Sequence, residues 1–175
     1  MNTTGLTDAG AATAALNAAR DNLAPANDDA TKATAYLRDA IVDIRTRGLL
    51  TVDEMAEAVR HDRNYIDSVW SSHGGTVKGK QTRVAVAEDA DPEKARYAYE
   101  TLFDAASRQD RANDRRNGFR QDRDKLVAAV YASKLLGPTA IAAAVGVDRN
   151  HVLRIARKAG VGPQHRRRIR NQYSK

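Results

Sequence analysis

Arg149, Asn150 and Arg154 stand in a run from Asp148 to Lys158 in which Val152 and Ile155 are spaced to return to one side of a helix. If those two face inward, Arg149, Asn150, His151, Leu153, Arg154 and Arg157 lie on or beside the outward face. A guanidinium can make two bonds to guanine O6 and N7, and an Asn amide two to adenine N6 and N7. Arg149, Asn150 and Arg154 are therefore candidates for base-edge contacts, and His151 and Arg157 for phosphate. Thr139, ten residues before Arg149, is a further contact candidate. A solvated polar face explains any one of these residues. It explains less well three Arg with no acid beyond Asp148, which is placed to cap the helix.

The elements that position this face can be read around it. Asp124 to Leu136 has helical apolar spacing at Leu126, Val127, Val130, Tyr131 and Leu135. Pro138 suits the first turn of a second helix, and Gly146 a turn before the third. The stretch Gly137 to Ile155 resembles the helix-turn-helix motif of bacterial and phage regulators. Ala142 stands where two helices touch, Gly146 follows four residues later at the turn, and Val152 and Ile155 return to the core. The resemblance covers about 20 residues, or 35 with the preceding helix, and implies double-stranded DNA as the partner.

A weaker copy lies 86 residues earlier. Leu49 to Trp70 aligned with Leu135 to Ala156 gives eight identities in 22 positions, among them Asp62-Arg63-Asn64 against Asp148-Arg149-Asn150. Arg63, Asn64, Tyr65 and Ser68 are the corresponding contact candidates. Arg60 replaces Gly146 at the turn, and Asp67 and Ser68 replace Leu153 and Arg154, so this copy is less basic. Thr51-Val52-Asp53-Glu54 has the form of a capping box, with a helix expected to about Val59 and another from Asp62 to Trp70.

Around these units the chain reads as follows. Ala11 to Leu23 is Ala-rich, and Ala24-Pro25-Ala26-Asn27 is expected to break it; a helix follows from Asp29 to Arg47, ended by Gly48. Thr76 to Ala87 reads as a short hairpin, a basic wing carrying Lys78 and Lys80. Asp91-Pro92-Glu93 starts another helix, whose continuation from Ser107 to Asp124 loses its apolar stripe, with Asn117-Gly118 the expected break. The tail beyond Pro163 holds Arg166, Arg167, Arg168 and Arg170, which could follow phosphates or simply solubilise the end. His165, Arg168 and Tyr173 invite comparison with tyrosine recombinases. It fails, because the tyrosine of that family lies much farther from its His-x-x-Arg element and the catalytic domain exceeds this chain.

The composition agrees with small helical units. Residues 107 to 175 carry 17 basic and 5 acidic side chains, a balance of +12, against −2 for residues 1 to 40 and −3 for 41 to 106. Such an excess is the electrostatic footprint of a phosphate-contacting segment. Cysteine is absent, which excludes thiolate metal sites, and the four His are not spaced as ligand pairs. No carboxylate pair, based nucleophile or glycine-rich phosphate loop indicates an enzyme.

The expectation is a mainly all-α fold. It has two tandem trihelical helix-turn-helix units joined by a long helix, with a hairpin wing after the first. The expected divisions are a flexible Ala-rich segment (1–27), the first unit with its wing (28–88), a connecting helix (89–122), the second unit (123–163) and a basic tail (164–175). The expected function is sequence-specific double-stranded DNA binding by a cytoplasmic, nucleoid-associated transcriptional regulator of phage or plasmid type, a repressor, with no cofactor and no membrane. A monomer with two DNA-reading units is favoured over a homodimer. The alternatives are an architectural, excision or replication-origin accessory protein, and a regulator whose first unit is a dimerisation module.

Overall fold

Thr51 closes a capping box: its hydroxyl accepts from the Glu54 N–H at 3.2 Å, and the Glu54 carboxylate accepts from the Thr51 N–H at 2.7 Å. This starts α2, Val52–Val59. The preceding helix, α1, spans Ala9–Arg47, and α3 spans Arg63–Ser72 with the Asp62 carboxylate accepting from the Tyr65 N–H. Then come α4, Pro92–Ser133, α5, Pro138–Val145, and α6, Arg149–Lys158. The computed structural model describes residues 7–75 and 91–162, and among them there is no strand. The expected hairpin, with Lys78 and Lys80, and the tail Arg residues 166, 167, 168 and 170 lie outside the described residues.

Two expected helix breaks do not occur. α1 continues through Pro25 and α4 through Gly118. A Pro inside a helix costs about 3 kcal/mol and a Gly about 1 kcal/mol relative to Ala, and along α1 burial of the helix face offsets the cost of Pro25. On α1 that face carries Ala12, Leu16, Leu23, Ala26, Ala30, Ala33, Leu37, Ile41 and Ile44, all buried, mostly at alternating steps of three and four residues. That is the period of a coiled-coil seam, and its many alanines allow close helix approach. At Pro25 the local break signal is overridden by this stripe; around Gly118, itself exposed, no apolar side chain from Ser107 to Leu126 is buried, and α4 continues without one.

The chain forms two compact units, and they are not contiguous segments. A central unit comprises Pro25–Asn117, and a terminal unit combines Met1–Ala24 with Gly118–Lys175. The Ala-rich N-terminal segment, expected to be flexible as a division although Ala11 to Leu23 could form a helix, is helical from Ala9 on and belongs to the core of the C-terminal unit. Residues up to Asn117 of the expected connecting helix likewise belong to the central unit.

In the central unit α2 packs on α3, and the core joins Leu37, Ile41, Ile44, Met55, Ile66 and Val69 to Ala98 and Leu102 of α4. α1 and α4 run antiparallel there: Arg115 faces Asp29 at 3.6 Å, and the Gln109 amide donates to the Thr34 hydroxyl at 3.1 Å. In the terminal unit α5 packs on α6, and the core joins Val127, Val130, Tyr131, Ile141 and Val152 to Ala12 and Leu16 of α1.

The spacing of 86 recurs throughout the backbone. α2 and α5 begin and end 86 residues apart, α3 and α6 do the same, and α1 and α4 end at Arg47 and Ser133. The left-handed backbone positions pair likewise: Gly48 with Lys134, Arg60 with Gly146, and Gly74 with Gly160. Arg60 holds φ 57° where its counterpart Gly146 holds φ 69°, so the turn keeps its conformation although the residue type that favours it is lost. Even the first parts of the long helices correspond, since Ala12 and Leu16 match Ala98 and Leu102 and all four are buried. Each repeat thus supplies three helices to one unit and the opening stretch of its long helix to the other.

Candidate nucleic-acid interface

α6 begins at Asp148, whose carboxylate accepts from the His151 N–H at 2.9 Å. That backbone bond, the largest influence, holds the Asp148 carboxyl below its ordinary value. Val152, Ile155 and Ala156 are buried, which turns the opposite face outward. Arg149, Asn150, Arg154, Arg157 and Lys158 are exposed along it. Thr139 is exposed at the start of α5. The sequence reading omitted Lys158, although its place on the same helix was legible.

The side chains differ in what holds them. The Arg154 guanidinium donates to His151 Nδ1 at 2.8 Å. Arg has no acceptor, so in this bond the ring nitrogen accepts. His151 thus braces Arg154. Among the described residues no carboxylate pairs with Arg149, Arg157 or Lys158. Leu153, expected on the outward side, is half-buried against the core and lines a small recess with Tyr131, Arg157 and Val161. Its place is explained by packing.

The corresponding face of α3 is spent on its own unit. Arg63 is paired with Asp53 at 3.1 Å, and Tyr65 is half-buried with its ring stacked on His61 at 4.2 Å between centroids. Asp67 binds the guanidinium of Arg45, which is itself buried, at 2.9 Å, and the same guanidinium lies 5.0 Å from the centre of the Trp70 ring. Asn64 and Ser68 are exposed. The substitutions at the repeat spacing explain the contrast. Tyr131, Leu153 and Ala156 stand where Arg45, Asp67 and Trp70 do, so an apolar set in one unit replaces a charged and aromatic set in the other.

Among the described residues no group of three acidic or His side chains is placed to hold a metal, and no helix is long and apolar enough to cross a membrane. Comparison with protein-family models, curated proteins and solved structures returns no match for this chain.

Proposed function

We propose that the protein binds double-stranded DNA sequence-specifically. α5 and α6 act as a helix-turn-helix and α6 enters the major groove. The observation that carries this reading is the exposed face of α6: four cations, Arg149, Arg154, Arg157 and Lys158, with no acid on the helix and no carboxylate partner among the described residues. Arg149 and Asn150, in the first turn, suit base edges, and Arg154 is oriented for the same task by His151. Arg157, Lys158 and Thr139 suit phosphate. A transcriptional regulator of phage or plasmid type, acting as a repressor in the nucleoid, is the function this implies; no catalytic step is assigned to any residue.

The central unit supports groove reading less well. Its duplication of the terminal unit suggested a monomer with two reading heads, but α3 offers one cation, and that cation is neutralised by Asp53. The proposal therefore places base reading on α6. Selecting bound duplexes from a random pool, then measuring Arg149→Ala and Arg154→Ala on the selected and on a scrambled duplex, tests it. Each variant is expected to lose about 1 to 3 kcal/mol on the selected duplex and to relax preference at one or two base pairs. Equal losses on both duplexes would move these residues to phosphate, and failure to select any sequence would remove the specific reading. DNA bending without regulation on the selected site would favour an architectural or accessory role.

A further inference from the structure

In the central unit α1 and α4 enclose a groove of about 520 Å³, lined by Asp29, Lys32, Tyr36, Arg108, Arg111 and Arg115 with two alanines. We propose that this groove is a second anion site, distinct from the α6 face, and that it takes phosphoryl groups. Several cations elsewhere in this unit find carboxylates: Arg96 with Glu100, Arg60 with Asp110, Arg47 with Asp43. In the groove Asp29 is the one carboxylate of the lining, and it faces Arg115 at 3.6 Å. Arg108 lies over the Tyr36 ring at 5.1 Å, and Lys32 and Arg111 have no carboxylate partner among the described residues.

Arg108, Arg111 and Arg115 recur at three and four residues, on one side of α4. Like charges so placed repel one another, and a concave wall concentrates their field. A bound polyanion relieves both effects. Nor does helix packing require these cations. At the repeat spacing, Gly118, Asn22, Pro25 and Asp29 stand in place of Lys32, Arg108, Arg111 and Arg115, and the long helices there remain intact. None of the four cations is thus repeated at the 86-residue spacing.

The volume suits a ligand of nucleotide size. Guanidinium forks match phosphoryl oxygens in pairs, and the half-exposed Tyr36 ring lies beside them for a base to rest against. The shared chemistry is the phosphoryl oxygen, carried either by a free nucleoside polyphosphate or by a nucleic-acid backbone.

Calorimetric titration of the full chain with sodium tripolyphosphate, adenosine triphosphate and a short random-sequence duplex tests the site. Arg96→Gln serves as a control and Lys32→Gln with Arg111→Gln as the variant. Both substituted side chains are exposed, and melting of the variant verifies that it folds. Tripolyphosphate binding is expected to weaken at least about tenfold in the variant and to be unchanged in the control. For a free nucleotide, adenosine triphosphate binds more tightly than tripolyphosphate, Tyr36→Leu removes the difference, and the duplex is unaffected. For a backbone, the variant also weakens the duplex and lowers its salt slope by about 2, while the nucleoside adds nothing. Binding of tripolyphosphate and duplex that both ignore the double substitution overturns the proposal, whatever the fate of the α6 reading.

Discussion

Arg63 Nε sits 3.1 Å from Asp53 Oδ1, whereas the residues 86 positions on are Arg149 and Thr139, and Thr139 leaves Arg149 without that carboxylate. The two repeats present the same cation at the start of the same helix, neutralised in one and available in the other. Together with Ser68, Ser71 and Ser72 in place of Arg154, Arg157 and Lys158, this difference leaves α3 with its one cation paired and α6 with four cations that have no carboxylate partner among the described residues. It also indicates how to neutralise Arg149.

Thr139→Asp is expected to reproduce the Asp53 arrangement and weaken binding to the selected duplex by about 1 to 3 kcal/mol, through pairing with Arg149 and repulsion of phosphate. Thr139→Asn, which adds no charge, should cost much less. Arg63→Ala should shift affinity by less than about threefold. Fluorescence anisotropy at two salt concentrations measures all three. A large loss with Arg63→Ala would restore groove reading to the central unit.

Leu16 is fully buried in the core that also holds Val152 and Ile141. Leu16→Ala is expected to destabilise the terminal unit by about 2 to 5 kcal/mol, by lost transfer energy and the cavity left behind. Amide hydrogen exchange should then accelerate in α5 and α6 more than in α2 and α3. Unchanged protection of α6 would contradict the assignment of the N-terminal helix segment to that core.

Arg45 is buried, its Nε has no hydrogen-bond partner, and its remaining support is Asp67, the Ile66 carbonyl and the Trp70 ring. Asp67→Ala leaves a buried guanidinium uncompensated and should cost about 3 to 5 kcal/mol. Arg45→Tyr combined with Asp67→Leu copies the Tyr131 and Leu153 of the other repeat and should recover most of that loss. Denaturant unfolding gives both values. A double variant as unstable as the single one would show that Trp70 and its neighbours admit only the charged pair.

Asp148 contributes its cap as the charged carboxylate, whose folded-state pKa is lowered chiefly by the His151 N–H. A lowered pKa means that the contribution is present at neutral pH and is lost as the pH falls below about 4 and through the folded-state value. Asn accepts the same bond without titrating. Thermal melts of Asp148→Asn should match the parent at neutral pH and fall less steeply on the acid side. A parallel acid limb in the two proteins would mean that this cap does not titrate with folding.

The short helices were legible because their signals are local. Thr51 with Glu54, and the Asp residues 62 and 148, name their own positions by the bonds they make three residues on. The outward face of α6 followed from Val152 and Ile155, except at Leu153, which packs against the core. The long helices were misread for the opposite reason. Pro25 and Gly118 are strong local breakers; the stripe that overrides Pro25, at Leu23 and Ala26, is built largely from alanine, whose burial leaves little mark on hydropathy, and no buried stripe surrounds Gly118.

By itself the sequence determined the class of fold, the starts of α2, α3, α5 and α6, the 86-residue repeat and the concentration of cations near the C-terminus, because each depends on neighbouring residues or on plain counting. Tertiary structure decided which segments share a core, placing Ala12 and Leu16 with Val152 and Ala98 and Leu102 with Ile66. It also decided which cations are spent: Arg63 on Asp53, Arg45 on Asp67, and Arg111 and Lys32 on no carboxylate among the described residues. A charge does not carry its partner's address in the chain. Pairing depends on distances of a few ångströms between side chains far apart in sequence, and only the packed helices set those distances.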